Sequence, residues 1–204
     1  MQRNNSQSEI NILVILFFLS GISALIYQIA WQRLLFANLG SDIESVTIIV
    51  SVFMLGLGLG SLVGGRLVDK FPERAIILFA FSEIGIGSFG IFSKSIILAS
   101  GEYFHSEKAM ITVSLSFFIF IFPTLLMGAT LPILVTYLVK RWSNVGAATG
   151  HMYAFNTLGA AVGAFVAGYW LFDKITLLES TYLAAVINIC IAIFALIFFR
   201  GRHA

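Results

Sequence analysis

The sequence predicts an all-α protein built from six membrane-spanning helices. Hydrophobic residues make up 59% of the 204 residues and charged residues only 11%, a balance that the surface of a water-soluble domain does not carry. Six apolar runs each come near or exceed the roughly 18 to 20 residues that cross a bilayer as a helix. The runs lack the period-two alternation of a transmembrane barrel, and helices satisfy their own backbone groups in lipid.

The six runs follow one another with short connections and predict a single transmembrane domain over residues 1–204. They cover residues 12–31, 43–67, 75–92, 110–139, 147–171 and 175–199. The longest break, residues 93–109, is expected to be a loop. The first run follows a polar segment and lacks a cleavage signal, so we expect it to remain as the first helix.

Lysine and arginine are unevenly divided between the two sides of this arrangement, eight against four. The eight are Arg3, Arg66, Lys70, Arg74, Lys140, Arg141, Arg200 and Arg202; the four are Arg33, Lys94, Lys108 and Lys174. Because positive charge accumulates on the cytoplasmic side, both termini are predicted to be cytoplasmic, in a bacterial-type inner membrane. The pattern offers no basic water-soluble face for a nucleic acid.

Neither a metal site nor a cofactor is indicated. Cys190 is the only cysteine, which excludes a disulfide framework and a cysteine-based metal or haem site. The three histidines share no helix face at the spacing of metal ligands. We therefore expect no metal and no cofactor.

The second and fifth runs carry glycines at helical spacing. Gly56, Gly60 and Gly64 recur every fourth residue and form one groove, and Gly159 and Gly163 repeat this spacing in the fifth run. Small residues let the backbones of membrane helices approach closely. Such a face serves static packing or allows one helix to move against another, and the sequence leaves both possibilities open.

A weak internal repeat relates the two halves of the chain. A shift of 103 residues places Gly56 over Gly159, Gly60 over Gly163 and Gly65 over Gly168. The second and fifth runs cross the membrane in opposite directions, which is typical of inverted three-helix repeats in transporters. The pattern predicts a 3+3 inverted repeat, equivalent to half of a major-facilitator-like bundle.

Glu83 is an ionisable residue inside the third run. It lies nine residues after Arg74, or about 13 Å along a helix, and so near the middle of the membrane. An ionisable group there is costly unless it is paired, protonated or hydrated, and it marks a functional site by default. A hydrogen bond to a neighbouring helix would explain it structurally, and both interpretations stay open.

Other polar residues complete a candidate intramembrane site, which consists of Glu83, Tyr27, Gln28, Arg33 and Asn156. Tyr27 and Trp31 are four residues apart and share a helix face, either as interfacial anchors or as an aromatic wall. Arg33 can extend outward to the membrane surface. Asn156 needs a partner on another helix.

Two further segments carry structural expectations. The segment GGRLVDKFPER resembles the loop between the second and third helices of major facilitator transporters. In it, Arg66, Asp69, Lys70 and Arg74 could pair and hold a cytoplasmic gate, or simply form a positive loop with a turn proline. In the fourth run, Pro123 and Pro132 predict a kink or an unwound stretch at residues 128–132.

Five segments in register carry a resemblance that covers most of the chain. They are SGISALIYQIAWQRLL, FMLGLGLGSLVGGRLVDK, SEIGIGSFGIF, FPTLLMGATLPIL and HMYAFNTLGAAVGAFVAGY. Together they resemble the membrane domain of the spermidine synthase-like membrane proteins, in which a major-facilitator-like domain is followed by a soluble aminopropyltransferase domain. Glu83, Arg33 and Asn156 match family positions. Gln28 stands where the family has an acidic residue, and His151 where it commonly has arginine.

These observations favour a non-catalytic membrane subunit over two alternatives. Without the family's soluble domain in these 204 residues, we expect no aminopropyl transfer by this chain. A subunit of this kind packs against another membrane protein or recruits a soluble enzyme. The main alternative is a homodimeric transporter of polyamines or related small cationic metabolites, for which an intramembrane carboxylate is suited. An enzyme has least support, because no nucleophile, metal cluster or phosphate-binding loop is present.

Overall fold

The computed structural model describes residues 2–102, 109–142 and 144–199, and all regular structure within them is helical. Six of its helical spans are long and apolar enough to cross a membrane, which confirms the predicted fold class. The helices are α1 (Gln2–Leu39), α2 (Asp42–Lys70), α3 (Ala75–Glu102), α4 (Ala109–Trp142), α5 (Val145–Val166) and α6 (Leu177–Phe198). A π-helical turn, Ala167–Leu171, and a short segment, Phe172–Lys174, continue α5.

The helices are longer than the apolar runs that predicted them. The third run was expected to end at residue 92, whereas α3 continues to Glu102 through part of the predicted loop 93–109. Hydropathy marks only the apolar part of a helix, and the backbone hydrogen bonds continue past it. The Ser93 hydroxyl donates to Gly90 O at 2.9 Å, so the first polar residue after the run is satisfied within the helix. Several charges used to predict the orientation lie outside the described side chains: Arg3, Lys108, Arg141, Arg200 and Arg202.

The prolines of α4 lie inside a continuous helix, so of the two predicted alternatives for residues 128–132, a kink or an unwound stretch, the unwound stretch is wrong. Pro132 has no N–H to donate to Gly128 O, but the Ser61 hydroxyl of α2 lies 3.0 Å from that carbonyl and 2.8 Å from Leu57 O, and its one proton is shared between the two. Beside Pro123, the Thr124 hydroxyl lies 2.9 Å from Phe120 O and 3.0 Å from Ile121 O. At Pro132 a hydroxyl of another helix thus reaches the carbonyl that the proline leaves free, in a setting that offers no water.

The six helices form three layers. The α1 and α4 helices lie in the middle, α2 and α5 pack onto them from one side, and α3 and α6 pack from the other. We call α2 and α5 the front layer and α3 and α6 the back layer. The α1 helix packs most closely with α5, and α4 with α2, so exchanging the first three helices with the last three preserves the pattern. This packing agrees with the predicted 3+3 repeat.

The five predicted packing glycines lie at the contacts between front and middle layers. A Cβ at Gly56, Gly60 or Gly64 would overlap α4, and a Cβ at Gly159 or Gly163 would overlap the backbone of α1. Their opposing residues are Thr124, Leu125 and Ala129 in α4 and Phe18 and Ile22 in α1. Without side chains at these positions, the backbones come close enough for dispersion contacts to hold the layers together.

Candidate functional site

The carboxyl group of Glu83 is fully enclosed within the bundle, with 0% of the residue exposed. The Ser20 hydroxyl of α1 donates to Oε1 at 2.7 Å, and the Asn188 amide of α6 donates to Oε2 at 2.5 Å. Both carboxyl oxygens therefore have a partner, each on a different helix. Glu83 joins α3 to α1 and α6 at membrane depth.

Glycine in α3 allows this close approach. Gly87 lies one helical turn after Glu83, and a Cβ there would press against Ile189, Ala185 O and the Cβ of Asn188. The missing side chain lets α6 lie against α3, which brings the Asn188 amide to the carboxyl group. The local sequence of α3 thus positions a donor that lies 105 residues further along the chain.

An aromatic cluster lies beside the carboxyl group. Tyr27 and Trp31 are both fully buried and stack with their ring centroids 4.8 Å apart. Phe89 and Phe120 surround Trp31 at centroid distances of 5.3 and 5.2 Å. A Cβ at Gly90 of α3 would overlap the Tyr27 phenol, so this glycine makes room for the ring. The two aromatic residues therefore form an internal wall and do not lie at the membrane surface as interfacial anchors.

Three buried polar atoms of this region have no hydrogen-bond partner among the described residues: Tyr27 Oη, Trp31 Nε1 and Asn188 Oδ1. The Tyr27 hydroxyl also interacts electrostatically with Glu83. Buried polar atoms are rarely left without a partner, so each one needs an explanation. Asn188 Oδ1 lies on the amide that bonds to Glu83, whereas Tyr27 and Trp31 lie about two and three helical turns further along α1 than Ser20.

The other predicted members of the site lie elsewhere. Asn156 of α5 donates to Phe17 O of α1 at 3.1 Å, which ties the front layer to the middle layer. Arg33 is exposed, and its guanidinium group lies 4.5 Å from the centroid of the Phe172 ring. Gln28 is half-buried on α1. Of the five predicted residues, the structure brings together Glu83 and Tyr27.

Of the four charged residues predicted in the cytoplasmic loop, Arg66, Asp69 and Lys70 lie instead in the last turns of α2, and only Arg74 follows the helix. The cations near the helix end lie against an aromatic ring. Lys70 Nζ lies 5.4 Å and the Arg74 guanidinium 5.5 Å from the centroid of Phe71. Arg74 also pairs at 3.8 Å with Glu73, where both side chains are more than half exposed. Such a pair contributes little to stability. Arg66 and Asp69 are exposed as well, and no ion pair involving Asp69 is formed within the described part of the chain.

Sequence reasoning missed the two hydrogen-bond partners of Glu83. Asn188 could have been found by the argument applied to Asn156, because an amide in an apolar run needs a partner on another helix. Ser20 carries no such signal, since a serine in a membrane helix usually bonds to its own backbone.

The α5 helix of the front layer exposes a surface unlike that of the back layer. The span that contains α5 is the least buried of the six and has the lowest mean hydropathy. Its exposed positions include Thr149, Tyr153 and Thr157, and His151, whose Nδ1 lies 2.9 Å from Ala147 O of the same helix. The exposed positions of the back layer are dominated by large apolar side chains such as Phe81, Phe92 and Ile197. The back layer suits lipid, whereas α5 exposes groups for which lipid offers no partner.

Comparison with known families shows the superfamily to which this helical bundle belongs. The sequence model of the Major Facilitator Superfamily matches residues 13–204, which is nearly the whole chain. The chain belongs to the major facilitator superfamily. The six spans, the three layers and the repeated packing described above are therefore those of a major facilitator protein, and the chain is a multi-pass membrane protein.

Two curated relatives add a second line of similarity. The chain is 26% identical over 194 residues to polyamine aminopropyltransferase 1 of Streptomyces coelicolor, covering 94% of this chain and 35% of the relative. It is 22% identical over 198 residues to the polyamine aminopropyltransferase of Oceanobacillus iheyensis, covering 93% of this chain and 36% of that relative. The chain thus spans about a third of the length of these relatives. No solved structure matches the chain significantly.

Proposed function

We propose that this major facilitator bundle is a non-catalytic membrane subunit that packs through its front layer against another membrane protein and holds a soluble enzyme at the membrane. The observation that carries the proposal is the exposed surface of α5, with its polar and small residues at membrane depth. A helix that faces lipid gains nothing from such residues, but a helix that faces protein can pair or bury them.

The relatives support the proposal that the bundle holds a soluble enzyme at the membrane. Both are named as polyamine aminopropyltransferases, and this chain aligns with only about a third of each. We infer that the chain corresponds to the membrane part of a spermidine synthase-like membrane protein system, and that the soluble enzyme it holds is of the aminopropyltransferase type. The proposal places the bundle in a bacterial-type inner membrane with both termini and the Arg66 to Arg74 loop facing the cytoplasm, where that enzyme would dock.

The proposal predicts that a bulky residue on α5 releases the partner. Ala154 is exposed on the front layer, and Ile193 is exposed on the back layer. Ala154→Trp should reduce recovery of the stoichiometric partner about tenfold or more in mild-detergent purification, whereas Ile193→Trp should leave it unchanged. Equal recovery with both variants, or a wild-type chain that purifies without any partner, would contradict the packing role.

A transporter of polyamines or related small cationic metabolites is the second candidate, favoured by superfamily membership and by the buried group around Glu83. In this candidate two copies act together, and a carboxylate in apolar surroundings attracts the cationic substrate.

The transport candidate predicts that flux depends on Glu83. Glu83→Gln keeps the size of the side chain and can still bond to Ser20 and Asn188, so the bundle should fold normally. Uptake of putrescine or spermidine into proteoliposomes should then fall at least tenfold. No uptake above protein-free vesicles by the wild type, or unchanged uptake by the folded variant, would exclude this candidate.

A further inference from the structure

A groove of about 350 Å³ opens on the surface of the bundle between α2 and α3, with α4 as its floor. It forms because α2 and α3 both pack on α4 rather than on each other. Leu67, Phe81 and Phe122 line the groove and are exposed. Ser82 also lines it, but its hydroxyl donates to Leu78 O at 3.1 Å within α3 and is satisfied there. The groove therefore suits a hydrocarbon chain.

The length of the groove matches one leaflet of a bilayer. Its floor on α4 extends from Phe122 to Ile133, which is about 16 Å along a helix at about 1.5 Å per residue. The hydrocarbon core of a bilayer is roughly 30 Å thick, so one leaflet contributes about 15 Å. The groove reaches the end of the bundle where α2 finishes at Lys70 and α3 begins at Ala75. One acyl chain of the leaflet on that side can therefore lie along the whole groove.

Two cations lie at this end of the groove, on the helix faces that line it. Lys70 follows Leu67 by three residues on α2, and Arg74 precedes Leu78 by four residues at the start of α3, so each is one helical turn from a lining residue. Lys70 Nζ lies 5.4 Å and the Arg74 guanidinium 5.5 Å from the centroid of Phe71. Attraction to one aromatic ring keeps the two cations close together.

The neighbouring carboxylates leave this positive charge in place. Asp69 is two residues from Leu67, or about 200° around α2, and so lies on another face of the helix. Glu73 lies 3.8 Å from Arg74 Nε in an exposed pair, whereas a guanidinium group can also hold a phosphate through its terminal amino groups. Within the ranges that the structure describes, no carboxylate pairs with Lys70. The end of the groove is therefore suited to an anion.

We propose that this groove binds an anionic phospholipid, with one acyl chain on α4 between α2 and α3 and with the phosphate group on Lys70 and Arg74. The chain covers apolar walls that the protein leaves open, and the phosphate meets the two cations at the depth of the lipid headgroups. A headgroup with net negative charge binds better than a zwitterionic one, because the ammonium group of the latter approaches the same cations. In the orientation proposed above, the site faces the cytoplasmic leaflet.

Native mass spectrometry, which counts bound lipids, tests the headgroup. The purified full chain is titrated in mild detergent with dioleoyl phosphatidylglycerol and, separately, with dioleoyl phosphatidylethanolamine, which has the same acyl chains. The first phosphatidylglycerol should bind about tenfold more tightly or better, as expected for two cations near a membrane surface. Lys70→Gln combined with Arg74→Gln should reduce this preference to about twofold or less. Equal affinity of the wild type for both lipids would overturn the proposal. So would displacement of phosphatidylglycerol by inorganic phosphate where sodium chloride of equal ionic strength displaces none.

The matched control removes the same charge from the other end of the bundle. Arg33 and Lys174 are exposed there, and the Arg33 guanidinium also lies against an aromatic ring, 4.5 Å from the centroid of Phe172. Arg33→Gln combined with Lys174→Gln should keep the preference for phosphatidylglycerol. An equal loss in the two double variants would assign the preference to net charge and overturn the proposed site.

A bulky side chain in the groove tests the place of the acyl chain. Val63 lines the groove, Val50 of the same helix does not, and both are exposed, so both should accept tryptophan without loss of helical content. Val63→Trp should weaken binding of phosphatidylglycerol about tenfold, the effect of about two methylene groups that lose their apolar contact, and Val50→Trp should leave it unchanged. Equal binding by the two variants would overturn the groove as the site. The result does not depend on the proposed packing role, which concerns the exposed surface of α5.

Discussion

Gly60→Leu is expected to prevent the bundle from folding, whereas Gly58→Leu, two residues away, should leave the fold of the single chain intact. A Cβ at Gly60 would overlap the backbone carbonyl of Leu125 in α4, which cannot turn aside as a side chain can. A Cβ at Gly58 meets nothing within 4 Å in the same chain. Separating α2 from α4 should cost about 3 kcal/mol or more, at the upper end of overpacking effects.

The comparison is made on protein extracted from membranes in mild detergent. Gly58→Leu should keep the helical content of the wild type and remain soluble, with or without the front-layer partner, whereas Gly60→Leu should aggregate or lose helical content at a much lower temperature than either. Equal behaviour of the two variants would show that the α2–α4 contact does not hold the bundle together. If only Gly60→Leu fails to fold, the glycine face that contains Gly60 serves close packing within the chain, a point that the sequence pattern left undecided.

Asn188→Leu is expected to destabilise the bundle by about 1–3 kcal/mol, the usual cost of leaving a buried hydrogen-bonding group without its partner. The change keeps the side-chain size but removes the donor to Glu83 Oε2, and the carboxyl group is then left with Ser20. Asn156→Leu is the matched control, because that amide bonds only to a backbone carbonyl at 3.1 Å. Its loss should cost about 0.6 kcal/mol, the average for hydrogen bonds between membrane helices.

A double variant decides whether the effect belongs to the Glu83 contact. Combining Asn188→Leu with Glu83→Met replaces both partners by apolar groups, which removes the unsatisfied carboxyl group. The double variant should recover most of the stability that Asn188→Leu loses in denaturant titration. If the stability losses of Asn188→Leu and Glu83→Met simply add in the double variant, the two side chains do not stabilise each other.

The sequence identified one side of the candidate site because its signal is local. An ionisable residue inside an apolar run stands out wherever its partners lie, so Glu83 was found. Ser20 and Asn188 lie 63 and 105 residues away, and nothing in the linear order predicts that their helices meet α3 at this depth. Asn156 and Arg33 were grouped with Glu83 because all are polar near membrane runs, but they lie on helix faces that point elsewhere.

The prolines of α4 also show that local sequence does not predict contacts between helices. The rule that proline interrupts a helix predicted a kink or an unwound stretch near Pro132, since its missing N–H leaves a carbonyl free. The helix is not unwound, and the hydroxyl of Ser61, a residue of another helix, lies 3.0 Å from that carbonyl. A local rule predicts which backbone carbonyl of a helix lacks a donor, and the tertiary packing decides whether another helix supplies one.

The sequence by itself determined that this protein is a bundle of six membrane-spanning helices with a repeated glycine pattern. Hydropathy and helical spacing are properties of short stretches, and a bilayer leaves the backbone few other solutions. Only the tertiary structure decided which glycines pack within the chain, which remain open on the front layer, and which residues enclose Glu83. Those outcomes depend on how each helix is rotated about its axis, and that rotation is set by contacts between residues far apart in the chain.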